Sequence, residues 1–375
     1  MPYRQLGLIC SSSILPGLIS TLKNLGFEIK AIWCPEPDVA LQIAAEQEIP
    51  FTASKPDEIL LRKEVEMVII SGKPSIHAQI CVKALGIGKH IFCDSPVGLT
   101  SADGLKMLES SDYYPQILSL IGFGLRQVET FRRMKTAIQD ATIGTPYMVE
   151  AKVHCGPLLT PTFSWLWESD MGGGVLNLIG SHIIDLLAFI LNKKAERVQG
   201  LVRTHSKSAP NGFRKITADD FASFLLKMDS GNLSGTVSLN SLCPGYFEQE
   251  ISVCGSAGRL IAKNLTLFCY KNGSTKVEEL FDEPLVSNKL QLVKNDCPIV
   301  PELYQIGFAK SLQTLSLALP ADSGPMEKSI TSWKESIPNL GTLAGFEDAQ
   351  YVRAVIEAVR YSSSKGEWVR VRTDG

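Results

Sequence analysis

The chain has 375 residues, which is more than one hydrophobic core usually supports, so it predicts two domains. Hydrophobic residues make up 45% of it and charged residues 20%, both ordinary values for a globular protein. The formal net charge of −2 gives no basic surface of the kind that binds nucleic acid or an anionic membrane. We therefore expect neither as a partner.

The cysteines and the N-terminus are typical of a protein in a reducing compartment. The nine cysteines form no C-x-x-C pair, and the five histidines share no ligand spacing, so free thiols and no metal site are predicted. The first residues lack the apolar segment of a signal peptide, and no run approaches 18 uninterrupted apolar residues. The predicted location is the cytoplasm.

The first 120 residues alternate short apolar runs with helical patterns. Strand-like runs lie at Leu6–Cys10, Phe27–Trp33, Met67–Ile70, His90–Phe92 and Ile117–Ile121. Helical patterns lie at Ile14–Asn24, Asp38–Gln47 and Ile76–Leu85. Buried parallel strands read as apolar runs, and strands separated by helices form right-handed crossovers. Residues 1–123 are therefore predicted to form an α/β domain with a doubly wound, Rossmann-type parallel sheet.

From residue 144 the strand-like runs follow one another closely. They lie at Tyr147–His154, 197–204, 220–228, 232–240, 247–254 and 259–262. This spacing predicts a second, α+β domain over 124–375 with an open, mainly antiparallel sheet, whose free face we expect to be apolar. Its predicted helices are 125–140, Leu176–Leu191 and 346–362, the last packing back toward the first domain. The segment 282–301 is expected to be a surface excursion.

The junction between the first strand and the first helix lacks glycine. In a Rossmann fold this turn carries G-x-G-x-x-G or A and contacts the pyrophosphate, but here the small positions fall on Cys10, Ser12 and Leu15. A serine at positive φ costs about 1–2 kcal/mol relative to glycine, so a changed turn is predicted. Ser11–Ser13 either offer donors to a phosphate or cap the first helix.

The end of the second strand usually decides between NAD and NADP. An acidic residue there holds the ribose of NAD, and an arginine binds the 2′-phosphate of NADP. The chain reads Trp33-Cys34-Pro35-Glu36 at this point, so the carboxylate is displaced and no arginine is present. The sequence leaves the choice between the two cofactors open.

Four segments resemble the Gfo/Idh/MocA oxidoreductases. They are Val68–Ala78, Ala84–Cys93, Gly172–Leu186 and Val253–Leu260, and within that family Lys83–Lys89 with Tyr113-Tyr114-Pro115 is most similar to the animal glucose–fructose oxidoreductase domain-containing proteins. The resemblance implies a Rossmann domain with NAD or NADP, a sugar-like or carbinol substrate held between the domains, and a homo-oligomer formed through the open sheet. It also implies that an E-K-P lysine and a D-x-x-x-H pair handle the proton that accompanies hydride transfer.

Two of those three proton-handling positions have changed. Ser95 stands at the lysine position, Leu178 replaces the aspartate, and His182 is retained. A serine hydroxyl has no useful pKa near neutrality, and the lost acid–base help is worth about 10²–10⁴-fold in rate. Asp185 lies one turn beyond His182, at a spacing that allows a contact between them.

The positions that match the family motifs also predict which residues contact the substrate and the cofactor. Trp165 and Trp167 either stack in the substrate pocket beside His182 or pack in the core. The sequence favours a pseudo-oxidoreductase with weak or vestigial binding of NADP or NAD. The alternatives are an active NAD(P)-dependent oxidoreductase that uses His182 and a binding or regulatory module that acts through its surface. The expected cofactor contacts are Cys10, Ser11, Ser12, Ser13, Ile14, Cys34, Ser71, Pro74, His77, Asp94, Phe123 and Arg126.

Overall fold

The computed structural model divides the chain into two compact units and describes residues 4–160, 162–207, 214–243, 245, 247–283, 301–319, 337 and 340–373. Unit 1 comprises Met1–Gly124, Val286–Pro298 and Gln305–Gln350. Unit 2 comprises Leu125–Leu285, Ile299–Tyr304 and Tyr351–Gly375. The predicted surface excursion at 282–301 falls almost wholly outside the described residues.

Strands and helices alternate in the first part of the chain, and strands dominate the second. In chain order the strands are β1 (Gln5–Cys10), β2 (Glu28–Trp33), β3 (Met67–Ser71), β4 (His90–Cys93), β5 (Ser119–Ile121), β6 (Pro146–His154), β7 (Ala195–Arg203), β8 (Phe221–Met228), β9 (Leu233–Asn240), β10 (Glu248–Gly255), β11 (Gly258–Lys263), β12 (Thr266–Lys271), β13 (Val277–Asp282), β14 (Ala344–Gly345) and β15 (Val369–Arg370). The helices are α1 (Leu15–Asn24), α2 (Pro37–Glu46), α3 (Pro56–Leu60), α4 (Pro74–Gly86), α5 (Ser101–Tyr113), α6 (Glu129–Gln139), α7 (Ser181–Leu191), α8 (Glu302–Ala318) and α9 (Phe346–Lys365).

Unit 1 contains a doubly wound sheet. Its described strands have the order β14-β5-β4-β3-β1-β2, and all neighbours are parallel except the short pair β14 and β5. The strand order reverses between β1 and β3, so the carboxyl ends of these strands form the crevice where such sheets bind ligands. The predicted Rossmann-type sheet is confirmed.

Unit 2 contains a larger sheet with the order β13-β12-β11-β10-β6-β9-β8-β7-β15 among the described strands. β6 and β9 run parallel, and every other neighbouring pair is antiparallel. The predicted mainly antiparallel sheet is therefore confirmed. The strands β12 and β13 were not predicted. For β13 the reason is that all but one of its residues is exposed and its sequence shows no alternation.

The face of this sheet that carries Glu150 and Lys152 of β6 is more polar than expected. On β6 the residues Val149, Ala151 and Val153 are buried, whereas Glu150 and Lys152 are exposed. The same face of the neighbouring strands carries Ser234, Thr236 and Ser238 on β9 and Glu250 and Ser252 on β10. The expectation of an apolar free face is wrong for these central strands, because side chains alternate along each strand and the outward positions are mostly serine, threonine and charged residues.

The apolar helix of unit 2 begins as a π-helix. Leu176–Gly180 form its wide turn, and α7 continues from Ser181 to Leu191. The stretch Ser169–Leu191 is long and apolar enough to cross a membrane by length and composition, but most of its apolar window is buried inside the protein, as in a core helix. Gly180 allows this packing, since a Cβ there would lie 3.0 Å from the Leu239 side chain of β9.

The final helix α9 is shared between the two units. Its residues up to Gln350 belong to unit 1, where the Gln350 side chain occupies the space that a Cβ on Gly104 would need. From Tyr351 onward the helix belongs to unit 2, where the Tyr351 hydroxyl accepts from the Ala195 N–H at 2.8 Å. That this helix packs back toward the first domain stays a prediction.

One buried ion pair joins the segment before α6 to α7. Both Asp185 carboxylate oxygens accept from the Arg126 guanidinium, at 2.7 Å from Nε and 2.5 Å from Nη2. Asp185 is 1% exposed and Arg126 is 7% exposed. A buried charge that loses its partner costs far more than an exposed one, so unit 2 depends on both members of this pair.

We expect Asp185→Asn to lower the free energy of unfolding by about 3–5 kcal/mol, because it leaves the Arg126 charge buried without its counter-charge. Urea titration followed by tryptophan fluorescence measures this. The matched control is Glu129→Gln, which removes the partner of the exposed Arg133 and should cost less than about 1 kcal/mol. Equal losses in the two variants would contradict the structural role of the buried pair.

Candidate functional site

The turn between β1 and α1 has a different geometry from a glycine-rich turn. The Ser11 N–H donates to the Ser71 carbonyl oxygen at 2.9 Å, which ties the turn to β3. No residue from Cys10 to Ile14 has a positive φ, so the serines carry none of the strain that the glycine template implies. The changed turn predicted from the sequence is present.

Donors at this turn stay available to an anion. The N-cap of α1 is Ile14, and no side chain caps the helix, so Ser11–Ser13 do not act as the capping residues that the sequence also allowed. Within the described residues the backbone N–H groups of Ser12 and Ser13 donate no hydrogen bond. Two N–H groups beside a helix N-terminus fit a phosphate, although Pro16 removes one further donor from the first turn.

The ends of β1 and β3 approach each other closely. Gly72 has a φ of +148°, and a Cβ at this position would lie 2.8 Å from Ser11 Oγ. Behind Gly72, Pro74 is buried at the start of α4 and His77 is fully buried, with Nδ1 donating to the Pro96 carbonyl oxygen at 3.0 Å. The structure therefore places Pro74 and His77 as supports of the loop, away from its exposed edge.

Asp94 lies at the carboxyl end of β4. Its Oδ2 accepts from Ser71 Oγ at 2.7 Å, and its Oδ1 accepts from the Ser95 N–H at 2.8 Å. Burial raises the pKa of the Asp94 carboxyl from its ordinary 3.8 to about 6, against the opposing effect of these two hydrogen bonds. Asp94 and Ser95 are both half-buried as residues, and they lie directly after β4 at the carboxyl edge of the sheet.

The Glu36 carboxylate follows the end of β2, and the sequence analysis treated it as displaced from the ribose-binding position. Cys34 is buried, its Sγ donates to the Glu36 carbonyl oxygen at 3.1 Å, and its pKa is raised by burial and by the nearby Glu36 charge. Glu36 itself is exposed at the N-cap of α2. The displaced carboxylate therefore folds back toward the strand end, where a ribose-binding acid is expected in a Rossmann fold.

His182 in unit 2 is a neutral, enclosed histidine. Its ring packs edge-on against Tyr304, with centroids 4.9 Å apart, and the Tyr304 hydroxyl donates to Gln249 Oε1 at 2.8 Å. Burial lowers the pKa of His182 to about 3 and raises that of Tyr304 well above its ordinary value. Neither group changes its protonation near neutral pH. Tyr304 and Gln249 lie outside the motifs quoted from the sequence and were missed.

The other predicted residues of unit 2 have partners of their own. Leu178 is half-buried on the π-helix and offers no proton. Both Asp185 oxygens accept from Arg126, which also commits Arg126 to the interior of unit 2. The sequence suggested a contact between Asp185 and His182, which stays a prediction, and it missed the pair with Arg126 because helical spacing identifies neighbours on one helix and not a guanidinium from another segment.

The two tryptophans differ in exposure. Trp167 is 2% exposed, and its Nε1 donates to the Thr160 carbonyl oxygen at 3.1 Å, which makes it a core residue. Trp165 is half-buried and keeps part of its ring accessible. Of the remaining predicted cofactor contacts, Cys10 and Phe123 are buried and Ile14 is half-buried.

The structure brings some of the predicted residues together in unit 1 and gives one predicted residue, His182, new partners in unit 2. Unit 1 brings Ser11, Ser71, Asp94 and Ser95 together at the carboxyl ends of β1, β3 and β4. Unit 2 joins His182 to Tyr304 and Gln249. Among the described residues no group of three histidine, cysteine or carboxylate side chains could hold a metal ion.

Comparison with known proteins finds matches over nearly the whole chain. A model of the oxidoreductase family with an NAD-binding Rossmann fold matches residues 8–120, and the GFO/IDH/MocA C-terminal domain model matches residues 131–261. Human glucose-fructose oxidoreductase domain-containing protein 2 is 36% identical over 367 residues, covering 97% of this chain and 92% of that protein.

Two solved structures share the fold at low identity. Levoglucosan dehydrogenase in complex with NADH and L-sorbose has a TM-score of 0.78 at 17% identity, covering 98% of each chain. The super-repressor mutant of Gal80p from Saccharomyces cerevisiae has a TM-score of 0.76 at 13% identity, covering 98% of this chain and 97% of that one.

The raised pKa of Asp94 makes stability depend on pH. The folded state holds this proton up to about pH 6 and the unfolded chain only to about pH 4, so the free energy of unfolding falls as pH rises across that window. We expect Asp94→Asn to be more stable than the unsubstituted chain by up to about 3 kcal/mol at pH 7.5 and by much less at pH 4. Urea titrations at both pH values measure the difference. An equal difference in the free energy of unfolding between the two proteins at pH 4 and at pH 7.5 would contradict this prediction.

Proposed function

We propose that this chain, which belongs to the Gfo/Idh/MocA oxidoreductase family, is a pseudo-oxidoreductase that binds a nicotinamide dinucleotide and lacks efficient proton transfer. One observation carries the proposal. The two positions where the family resemblance places the lysine and the aspartate hold Ser95 and Leu178, and the retained His182 has a pKa of about 3.

Proton transfer is the step that these residues support least. Oxidation of a carbinol by hydride transfer must also release the hydroxyl proton to a base. Ser95 offers a hydroxyl, Leu178 offers no polar group, and a histidine that binds a proton only near pH 3 is a weak base at neutral pH. The loss of positioned acid–base help is expected to lower the rate by about 10²–10⁴-fold.

Nucleotide binding is better supported. The free N–H groups of Ser12 and Ser13 suit a pyrophosphate, and the Glu36 carboxylate suits a ribose hydroxyl. Relative to a glycine-rich turn, two or three contacts are lost at about 1 kcal/mol each, which weakens binding by about 30- to 150-fold. A carboxylate at the end of β2 also repels a 2′-phosphate, so NAD is favoured over NADP. When bound, the dinucleotide would supply a hydride acceptor or donor.

A calorimetric titration with NAD⁺, NADH, NADP⁺ and NADPH tests the proposal. We expect measurable heat for NAD⁺ or NADH, with dissociation constants in the micromolar to millimolar range. In the same samples we expect no nucleotide-linked turnover with sugars, inositols or related carbinols. Turnover that His182→Ala abolishes would favour the active enzyme instead. No heat for any of the four nucleotides would leave the binding or regulatory module as the remaining candidate.

Substitution of Glu36 tests how the ribose is held. Glu36→Gln should weaken NAD⁺ binding by about tenfold, and Glu36→Lys should reverse the preference toward NADP⁺, because a cation attracts the 2′-phosphate. The matched control is Glu46→Gln, an exposed carboxylate on the same helix α2. An unchanged ratio of NAD⁺ to NADP⁺ affinity in Glu36→Lys would refute the assignment of Glu36.

The homo-oligomer and the cytoplasmic location also stay proposals. The open sheet of unit 2 presents serines, threonines and charged side chains on its central strands β6, β9 and β10. A subunit contact through this face would be polar and hydrogen-bonded at its centre. Its apolar contribution would come from Leu201, Leu225 and Tyr270, which are exposed on β7, β8 and β12.

A further inference from the structure

The Asp94 carboxyl is held by neutral groups alone. Ser71 Oγ and the Ser95 N–H are its hydrogen-bond partners, and a Cβ on Gly122 of the β5 end would lie 3.0 Å from Oδ1. Buried or half-buried carboxylates in proteins are usually matched by a lysine, an arginine or a metal ion. Within the described residues no positively charged side chain contributes to the pKa of the Asp94 carboxyl.

The groups around Asp94 come from each strand that borders it. Cys10 at the end of β1 is a buried thiol whose pKa is raised by burial, so it is neutral. Cys93 precedes Asp94 on β4 and is likewise a buried thiol with a raised pKa. His77 on α4 is fully buried, and its Nδ1 is committed to the Pro96 carbonyl oxygen. Burial opposes the charged form of His77, but Cys93 and the Pro96 carbonyl raise its pKa overall, so His77 is a second group that titrates here. Asp94 is the carboxyl of this edge, and Asp94→Asn separates its charge from that of His77.

The fold places Asp94 in the second half of the Rossmann sheet. The strand order reverses between β1 and β3, and the turn after β1 offers the donors for a pyrophosphate. In such sheets one mononucleotide half of the ligand lies over β1 and β2, and the other half lies over the strands on the far side of the reversal. Glu36, which follows β2 at the N-cap of α2, is the proposed partner of the adenosine ribose, so the strands β3, β4 and β5 are the ones expected to face the nicotinamide half.

The two redox forms of a nicotinamide dinucleotide differ by one charge on the ring. The oxidised ring is a pyridinium cation, and the reduced ring is neutral, whereas the phosphates are the same in both forms. We propose that Asp94 makes unit 1 bind the oxidised dinucleotide more tightly than the reduced one, and that this preference grows as pH rises. The inference rests on the proposed function, because it requires that unit 1 binds the dinucleotide.

The direction of the pH dependence follows from the carboxyl proton. When Asp94 is protonated it has no charge to offer the ring, so both forms bind alike. When it is ionised it attracts the pyridinium, and the bound cation in turn lowers the pH at which the proton leaves. The ratio of the two affinities should therefore rise between about pH 5 and pH 7.5 and then level off, by about tenfold in total.

The experiment measures the dissociation constants of NAD⁺ and NADH from pH 5 to pH 8 by calorimetry. The unsubstituted chain should show the tenfold rise in preference for NAD⁺. Asp94→Asn should show a small ratio that does not change with pH, with its NADH affinity nearly unchanged. Ser71→Ala removes a hydrogen bond that favours the ionised carboxyl, so the rise should move to higher pH, which a merely structural role of Ser71 would not produce.

Asp57→Asn is the matched control. This exposed carboxylate on α3 pairs with Lys83 in the same unit and should leave both the ratio and its pH dependence unchanged. A ratio that does not vary with pH in the unsubstituted chain, or a rise that Asp94→Asn retains, would overturn the inference while the proposed function stands. If neither nucleotide binds the unsubstituted chain at any pH, the proposed function fails, and the inference fails with it.

Discussion

The hydrogen bonds at the carboxyl edge of the parallel sheet hold together the candidate nucleotide site on which the rest of the account depends. The Ser11 N–H donates to the Ser71 carbonyl oxygen, and the Ser71 hydroxyl donates to Asp94. The close approach at Gly72 completes the link between β1 and β3. Because this link holds the first turn at negative φ, serines replace the usual glycines without strain, and the N–H groups of Ser12 and Ser13 stay available.

The candidate groups of the two units differ in their burial. In unit 1 the accessible groups are backbone donors, hydroxyls and carboxylates, which suit a dinucleotide. In unit 2 His182 packs against Tyr304, and burial lowers the pKa of His182 to about 3 and raises that of Tyr304, which favours the neutral form of both side chains. This distribution of groups is the basis of the proposal that the chain binds a dinucleotide and lacks efficient proton transfer.

The sequence predicted those parts of the molecule that depend on local pattern. The strand Met67–Ser71 is a continuous apolar run and was predicted within one residue. Helix α8 was missed because no motif marks it, and α5 was missed because its mean hydropathy is low, although its Thr100–Asp103 capping box was available as a signal. The resemblance to the family motifs implied the positions Ser95 and Leu178. The contacts of Glu36, Asp185 and Tyr304 depend on tertiary structure, which spacing does not encode.

The central claim is that a dinucleotide binds at the serine turn although its glycines are absent. Amide hydrogen exchange of a peptide covering residues 10–15, measured with and without saturating NAD⁺, tests this most directly. The account predicts slower exchange at Ser12 and Ser13 in the presence of NAD⁺, because their N–H groups then donate to the pyrophosphate. Unchanged exchange at this turn, with nucleotide demonstrably bound to the protein, would contradict it.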